Sequence, residues 1–156
     1  MAAVGYASHT EGAVALGAGV AKTVIGVQAQ AAAGLQLKSF EIGFDGVTAS
    51  AVPVLVEVMY STFATNAPGT GSTATTERQI YGRVLAAGYL GGKTWTAEPT
   101  ALTLIKEFPL AADKGLVAYQ WPLGQEPDCA FSEGFVVRCT APAAVNVRGT
   151  MNVERI

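Results

Sequence analysis

The side chains able to do chemistry in this 156-residue chain are few and scattered. His9 is the sole histidine and stands near the N-terminus; the two cysteines, Cys129 and Cys139, flank a Ser132-Glu133-Gly134 turn signal. A zinc site needs several Cys, His or carboxylate ligands at short spacing. Nucleophilic catalysis needs a Ser or Cys beside a base that a third group orients. One histidine supports neither, so no metal, no cofactor and no catalytic residue is assigned, and His9 reads as a surface residue. Glu41, Asp45, Glu57, Glu98 and Glu133 show no spacing that singles out a paired-carboxylate dyad. The Gly69-Thr70-Gly71-Ser72 run lacks the Lys-Ser/Thr ending of a phosphate-binding loop. Trp95 and Trp121 would form a carbohydrate platform only if both faced water; with Tyr119, Trp121 and Leu123 sharing parity, a core aromatic ladder is the plainer reading. The chain is therefore expected not to be an enzyme.

Composition narrows the class further. Charged residues make up 14 % of the chain, against roughly 25 % in ordinary soluble domains, while 50 % is hydrophobic and 18 residues are glycine. So few charges leave a weakly solvated surface, which suits a subunit that hides it against neighbours. A net charge of -2, with Lys22, Lys38, Arg78, Arg83, Arg138 and Arg148 dispersed, gives no attraction for phosphates, so no nucleic-acid partner is expected. Residues 12–21 are apolar, but Glu11 stands where a signal peptide needs a basic region, and no apolar run reaches the roughly 18 to 20 residues that cross a bilayer. Neither a signal peptide nor a membrane partner is expected. For Cys129 and Cys139 two states stay open: free buried thiols, favoured by cytosolic synthesis, or a cross-hairpin disulfide.

The elements that must position these residues read as strands. Residues 145–154 alternate apolar and polar almost without error, the pattern of a strand with one buried and one wetted face. Residues 23–27 are β-branched apart from Gly26, which favours a strand. Over 35–44, Leu35 and Leu37 have one parity and Phe40, Ile42 and Phe44 the other, so a bulge near Lys38-Ser39 is needed to bring them to one face. After an Asp45-Gly46 turn, residues 52–63 form a long strand with Val54, Val56, Val58 and Tyr60 on one face and Leu55, Glu57 and Met59 on the other. A lone carboxylate such as Glu57 reads as half of a salt bridge at a sheet surface or subunit contact. Residues 64–76 lack periodicity and are rich in turn formers, which predicts a long exposed loop contacting a neighbour. Further strands are expected at 78–85, 95–97, 101–108, 116–123 and 134–140, with Gly91-Gly92 as a separator and room for a helical turn at 97–100. The expected fold is all-β: an antiparallel sandwich, jelly-roll-like, of eight or nine strands with the long loop at about 64–76. Residues 1–11 are expected as an N-terminal arm and 12–156 as the single sandwich domain. Tyr6 and His9 in the arm, with Thr70, Thr73 and Thr75 in the loop, are the expected interface residues.

Several segments carry a wider resemblance: 35–44, Val54-Leu55-Val56-Glu57-Val58 followed by the Thr/Gly/Ala loop, Thr96-Ala97-Glu98-Pro99-Thr100, Gln120-Trp121-Pro122-Leu123-Gly124 and 141–149. Together they resemble small virion structural proteins of tailed phages that infect actinobacteria. The resemblance implies a capsid decoration protein that assembles as a homotrimer, binds the major capsid protein on the outer capsid surface and is made in the host cytoplasm. A tail or head-tail protein, expected to form rings, and a virion-surface carbohydrate-binding module are the other two readings.

Overall fold

The computed structural model of the chain describes residues 3–30, 33–45 and 52–156, and every regular element among them is a β-strand. In order these are β1 (Val4–His9), β2 (Val14–Leu16), β3 (Ala21–Ala29), β4 (Leu35–Asp45), β5 (Val54–Ser61), β6 (Thr73–Ala74) and β7 (Arg78–Tyr81). There follow β8 (Tyr89–Lys93), β9 (Leu102–Leu110), β10 (Leu116–Gln120), β11 (Asp128–Cys129), β12 (Gly134–Thr140) and β13 (Val145–Arg155). One sheet runs β10-β4-β13-β1-β7, with β11 beside β4 and β2 beside β13; the other runs β6-β8-β3-β12-β5-β9. Neighbouring strands pair antiparallel, and the two sheets close on a common core, so the protein is an antiparallel β-sandwich.

The terminal alternation does what its pattern requires. Val145, Val147, Met151 and Val153 are buried on the core side of β13, while Asn146 and Arg148 are exposed. This strand holds the first sheet together, paired with β4 on one side and with β1 and β2 on the other. The parity conflict in β4 is resolved at the expected place. Its register passes from Asn152↔Ser39 to Val153↔Leu37, leaving Lys38 as the extra, unpaired residue of a bulge. Leu35, Leu37, Phe40 and Ile42 are consequently all fully buried. The bulge also aims the Lys38 ammonium at Glu126, with Glu154 at 3.8 Å. In β5, Val54, Val56, Val58 and Tyr60 face the core, and Glu57 and Met59 face away from it.

The described residues of the expected arm do not form an arm. Val4–His9 forms an interior strand between β13 and β7, in register Val4↔Arg155 through His9↔Thr150, and its side chains are buried apart from half-buried His9. Small residues (Gly5, Ala7, Ser8) mask the strand in the sequence, because only Val4 and Tyr6 carry apolar bulk. Thirteen strands stand among the described residues, where eight or nine were expected. The unforeseen ones are short or built of small residues: β2, β6 and β11 have two or three residues, and β8 contains the Gly91-Gly92 pair read as a separator. The strands expected at 78–85 and 116–123 end at Tyr81 and Gln120. Residues 95–97 form no strand, and 97–100 form bends rather than a helical turn. The turn expected at Asp45-Gly46 falls partly outside the described residues.

A third layer covers the outer face of the second sheet. Trp95, Met59, Phe63 and Val136 make a small separate core, with Ala67 and Leu102 against it. Its floor is a pair of glycines facing each other across two strands, Gly26↔Gly92. A Cβ at either would come within 2.8 to 2.9 Å of the far edge of the Trp95 ring. The missing side chains make room for the indole, which in turn covers backbone that two central glycines would leave bare. Trp95 Nε1 donates to the Asn66 carbonyl at 2.7 Å, Asn66 Nδ2 donates to the Glu98 carbonyl at 2.9 Å, and Glu98 accepts from Thr23 N and Oγ1 at 2.8 and 2.6 Å. The 64–76 segment is thus fastened at its first half onto the sheet, with Pro68 and Gly71 buried, and is not a free loop.

Candidate functional site

Strand β12 brings Arg138 opposite Glu57 of β5 in register, on the face of the sheet away from the main core. Arg138 Nε and Nη2 donate to the two Glu57 carboxylate oxygens at 2.9 and 3.0 Å, a two-pronged pair that raises the Arg138 pKa above its ordinary value. The lone carboxylate is thereby occupied by a structural partner. Glu57→Gln should cost about 2 kcal/mol, since it leaves a half-buried guanidinium facing a neutral amide, and an apolar replacement of both residues should recover most of that loss. Chemical unfolding of the single and double variants measures both.

The other short carboxylate contacts are of the same kind. Glu11 accepts from Thr76 N at 3.0 Å and from Lys93 at 3.2 Å, and these bonds, the backbone one foremost, hold its pKa below the usual range. Glu126 is lowered chiefly by Lys38, and Glu133 by the Tyr60 hydroxyl. Arg148 meets Asp45 at 3.2 Å in the open. A shallow cavity of about 320 Å³ lies over the first sheet, lined by Thr10, Glu11, Glu41, Leu116, Arg148 and Thr150 among others. Of its charged residues, Glu11 and Arg148 are engaged in the contacts just described, and Glu41 is exposed on β4. Among the described residues no group of three or more His, Cys, Asp or Glu could hold a metal ion.

The cysteines are free and buried in opposite sheets, Cys129 in β11 and Cys139 in β12. Burial pushes both thiols up to about 12, and burial with the Glu133 contact pushes the Tyr60 hydroxyl to about 12; burial also raises Tyr89 strongly. Because the folded state keeps these protons, their contribution to stability is whole below the unfolded values of 9 and 10. It is lost as pH rises from there towards 12. The urea midpoint should therefore fall steadily above pH 9, and Cys139→Ala, though less stable at pH 7, should show a shallower fall.

Of the five residues expected at an interface, the structure leaves two available. Thr70 and Thr73 are exposed. Tyr6 is 2 % exposed and its hydroxyl donates to the Leu85 and Ala86 carbonyls at 3.0 and 3.2 Å; Thr75 is buried with Oγ1 2.8 Å from Ser8 Oγ. Both are spent inside the fold. Half-buried His9 has Nδ1 3.0 Å from Thr150 Oγ1. The carbohydrate platform is also not formed, because Trp95 is 2 % exposed and Trp121 packs edge-on to Tyr119 at 5.0 Å between centroids.

What the sequence reading missed is apolar surface on rigid edges. Ile80, Tyr81, Val84 and Leu85 are exposed along β7 and the segment after it, Val84 to 93 %. That segment is pinned from beneath: Tyr6 binds the Leu85 and Ala86 carbonyls, Arg155 binds Ala86, and the Gln79 amide reaches the Tyr81, Gly82 and Arg83 carbonyls. Ile80, Val84 and Leu85 are thus exposed on a fixed backbone, while the Tyr81 ring lies over Gly5 and its hydroxyl donates to Glu154 at 3.0 Å. At the opposite edge of the same sheet, Leu116 and Leu123 are 73 % and 93 % exposed. A run of apolar residues in 80–85 was visible in the sequence, but alternation alone does not tell which sheet edge stays open.

Fold and surface together define a class: a two-sheet antiparallel β-sandwich with a third, loop-built layer and apolar outer edges. No protein-family model matches the chain, and no curated protein and no solved structure matches it.

Proposed function

We propose that this chain is a non-enzymatic structural protein of a phage virion, a capsid decoration or cement protein that binds the outer surface of the major capsid lattice and stabilises the shell. The observation that carries this reading is the exposed apolar set Ile80, Val84 and Leu85, held on a backbone pinned by Tyr6, Arg155 and Gln79. A preformed apolar surface loses little conformational entropy on docking, so its burial is available for adhesion at roughly 25 cal/mol per Å² before association costs. The carboxylates engaged by Arg138, Lys38 and Lys93 in structural pairs support a role made of contact area. The homotrimer over local three-fold positions is the stoichiometry that the sequence resemblance implies.

Incubation with undecorated capsids followed by sedimentation tests the proposal. The protein should pellet with the shells and raise their resistance to heat, and Val84→Asp should weaken pelleting at least tenfold while leaving the circular dichroism unchanged. Protein that stays in the supernatant at every concentration would overturn it, and six-fold rings that ignore the shell would assign the chain to the tail.

A further inference from the structure

The main strand paths of the two sheets end in four strands, β7 and β10 in the first and β6 and β9 in the second, while β2 and β11, of three and two residues, flank β13 and β4 off those paths. A sheet edge presents unpaired backbone donors and acceptors, and proteins blunt edges with bulges, prolines, charges or shortness. Three of the four carry such devices. β7 is bulged at Ile80, where its register with β1 skips, and begins with Arg78. β9 skips Ile105 in its register with β5 and contains Lys106, Glu107 and Pro109. β6 has two residues.

β10 carries none. Leu116-Val117-Ala118-Tyr119-Gln120 is uncharged, has no proline or glycine, and pairs in unbroken register with β4 from Leu116↔Gly43 to Gln120↔Ser39. No described strand lies on its other side. The register fixes which backbone groups are free. Trp121 N donates to the Lys38 carbonyl at 3.0 Å, so residues 117, 119 and 121 point their amides at β4. By the alternation of antiparallel pairing, Leu116, Ala118 and Gln120 point theirs outward.

We propose that β10 is a self-association edge, pairing antiparallel with β10 of a second copy about a two-fold axis at Ala118. In that register Leu116 meets Gln120 of the other copy and Ala118 meets its equivalent, giving a ladder of about six hydrogen bonds from the outward groups. On the core side, half-buried Val117 meets Tyr119 of the other copy, a β-branched and aromatic cross-strand pair. Tyr119 already continues the core through Phe40, at 5.6 Å between ring centroids, and Phe40 stacks on Phe108 at 6.1 Å. The pairing therefore extends the core across the axis. A second copy is the occupant because the strand is self-complementary: no residue of β10 itself is charged, and Lys106 of β9 is engaged over the face of the Tyr119 ring, 4.5 Å from its centroid. The inference does not rest on the virion reading: it concerns the free protein in solution, whereas the homotrimer that the resemblance implies is an arrangement on the shell, and it follows from the sheet edges alone.

Five paired residues form a small interface, so the dimer should dissociate at roughly micromolar concentrations. Sedimentation equilibrium from about 1 to 300 μM should show a reversible monomer-dimer transition in that range. Ala118→Pro removes an outward N–H and leaves the β4 ladder whole, so it should weaken the dimer about 30-fold or more at unchanged fold. Hydrogen exchange supplies a readout that needs no variant. The Leu116, Ala118 and Gln120 amides should gain protection as concentration rises, while those of Val117 and Tyr119 stay protected throughout. A chain monomeric up to 300 μM, a stable trimer, a dimer that Ala118→Pro leaves intact, or protection of residues 116, 118 and 120 that ignores concentration would each overturn the proposal.

Discussion

Removal of residues 1–9 should abolish cooperative folding. The deletion takes out β1, which pairs with β13 over six residues and with β7 on its other side. It also removes Tyr6, one of the largest fully buried side chains, and the Ser8 contact that anchors Thr75. Tyr6→Ala alone should cost about 3–5 kcal/mol, on the scale of other buried aromatic truncations. Deletion of the whole strand adds the loss of two backbone ladders and leaves residues 150–155 of β13 paired with β4 alone. That sum is comparable to the whole stability of an ordinary domain, about 5–15 kcal/mol. Thermal and urea unfolding followed by circular dichroism should show no sharp transition. A truncated chain that still unfolds cooperatively would show β1 to be dispensable. Loss of capsid binding on this deletion would report unfolding, so contact residues are better sought among exposed positions such as Val84, Thr70 and Thr73.

Trp95→Ala should destabilise the protein by about 3–5 kcal/mol. The ring is 2 % exposed, rests on the Gly26 and Gly92 backbones and packs on Met59, Phe63 and Val136; its Nε1–H also satisfies the Asn66 carbonyl. Truncation leaves a cavity over two glycines that have no side chains to collapse into it. It also frees the end of the segment that Asn66, Glu98 and Thr23 fasten to the sheet. The expected result is a lower urea midpoint together with faster amide exchange over residues 66–72. Trp121→Ala, at a half-buried position on the core's margin, should cost clearly less. A Trp95→Ala penalty below about 1 kcal/mol would mean that the third layer opens independently of the sandwich.

How far the sequence reached can be judged element by element. In β13 the apolar residues recur at every second position, and in β5 a run of alternate valines does the same; strand period alone then decides which side faces the core. The β4 bulge was equally legible, because two parity classes of large apolar residues in one strand admit one solution if all are to be buried, and Lys38 is that solution. The role of Glu57 was half legible: a carboxylate on the outer face demands a partner, but that Arg138 supplies it depends on the register of β12 against β5. The class of fold, the faces of the long strands and the position of one bulge were thus determined by local pattern.

Tertiary structure alone decided the rest, for a common physical reason. β1 contains glycine, alanine and serine and β8 two glycines, residues with too little apolar bulk to announce a strand, and they become interior because larger neighbours cover them. Gly92 reads as a separator until it faces Gly26 of β3 beneath Trp95. Tyr6 and Thr75 look like surface contacts in sequence, yet long-range hydrogen bonds to Leu85, Ala86 and Ser8 draw them inside. Which edges stay open is likewise a property of strand order. β10 and β7 are outermost only because β4 and β1 turn their other sides to β13, a fact that no period in the sequence encodes.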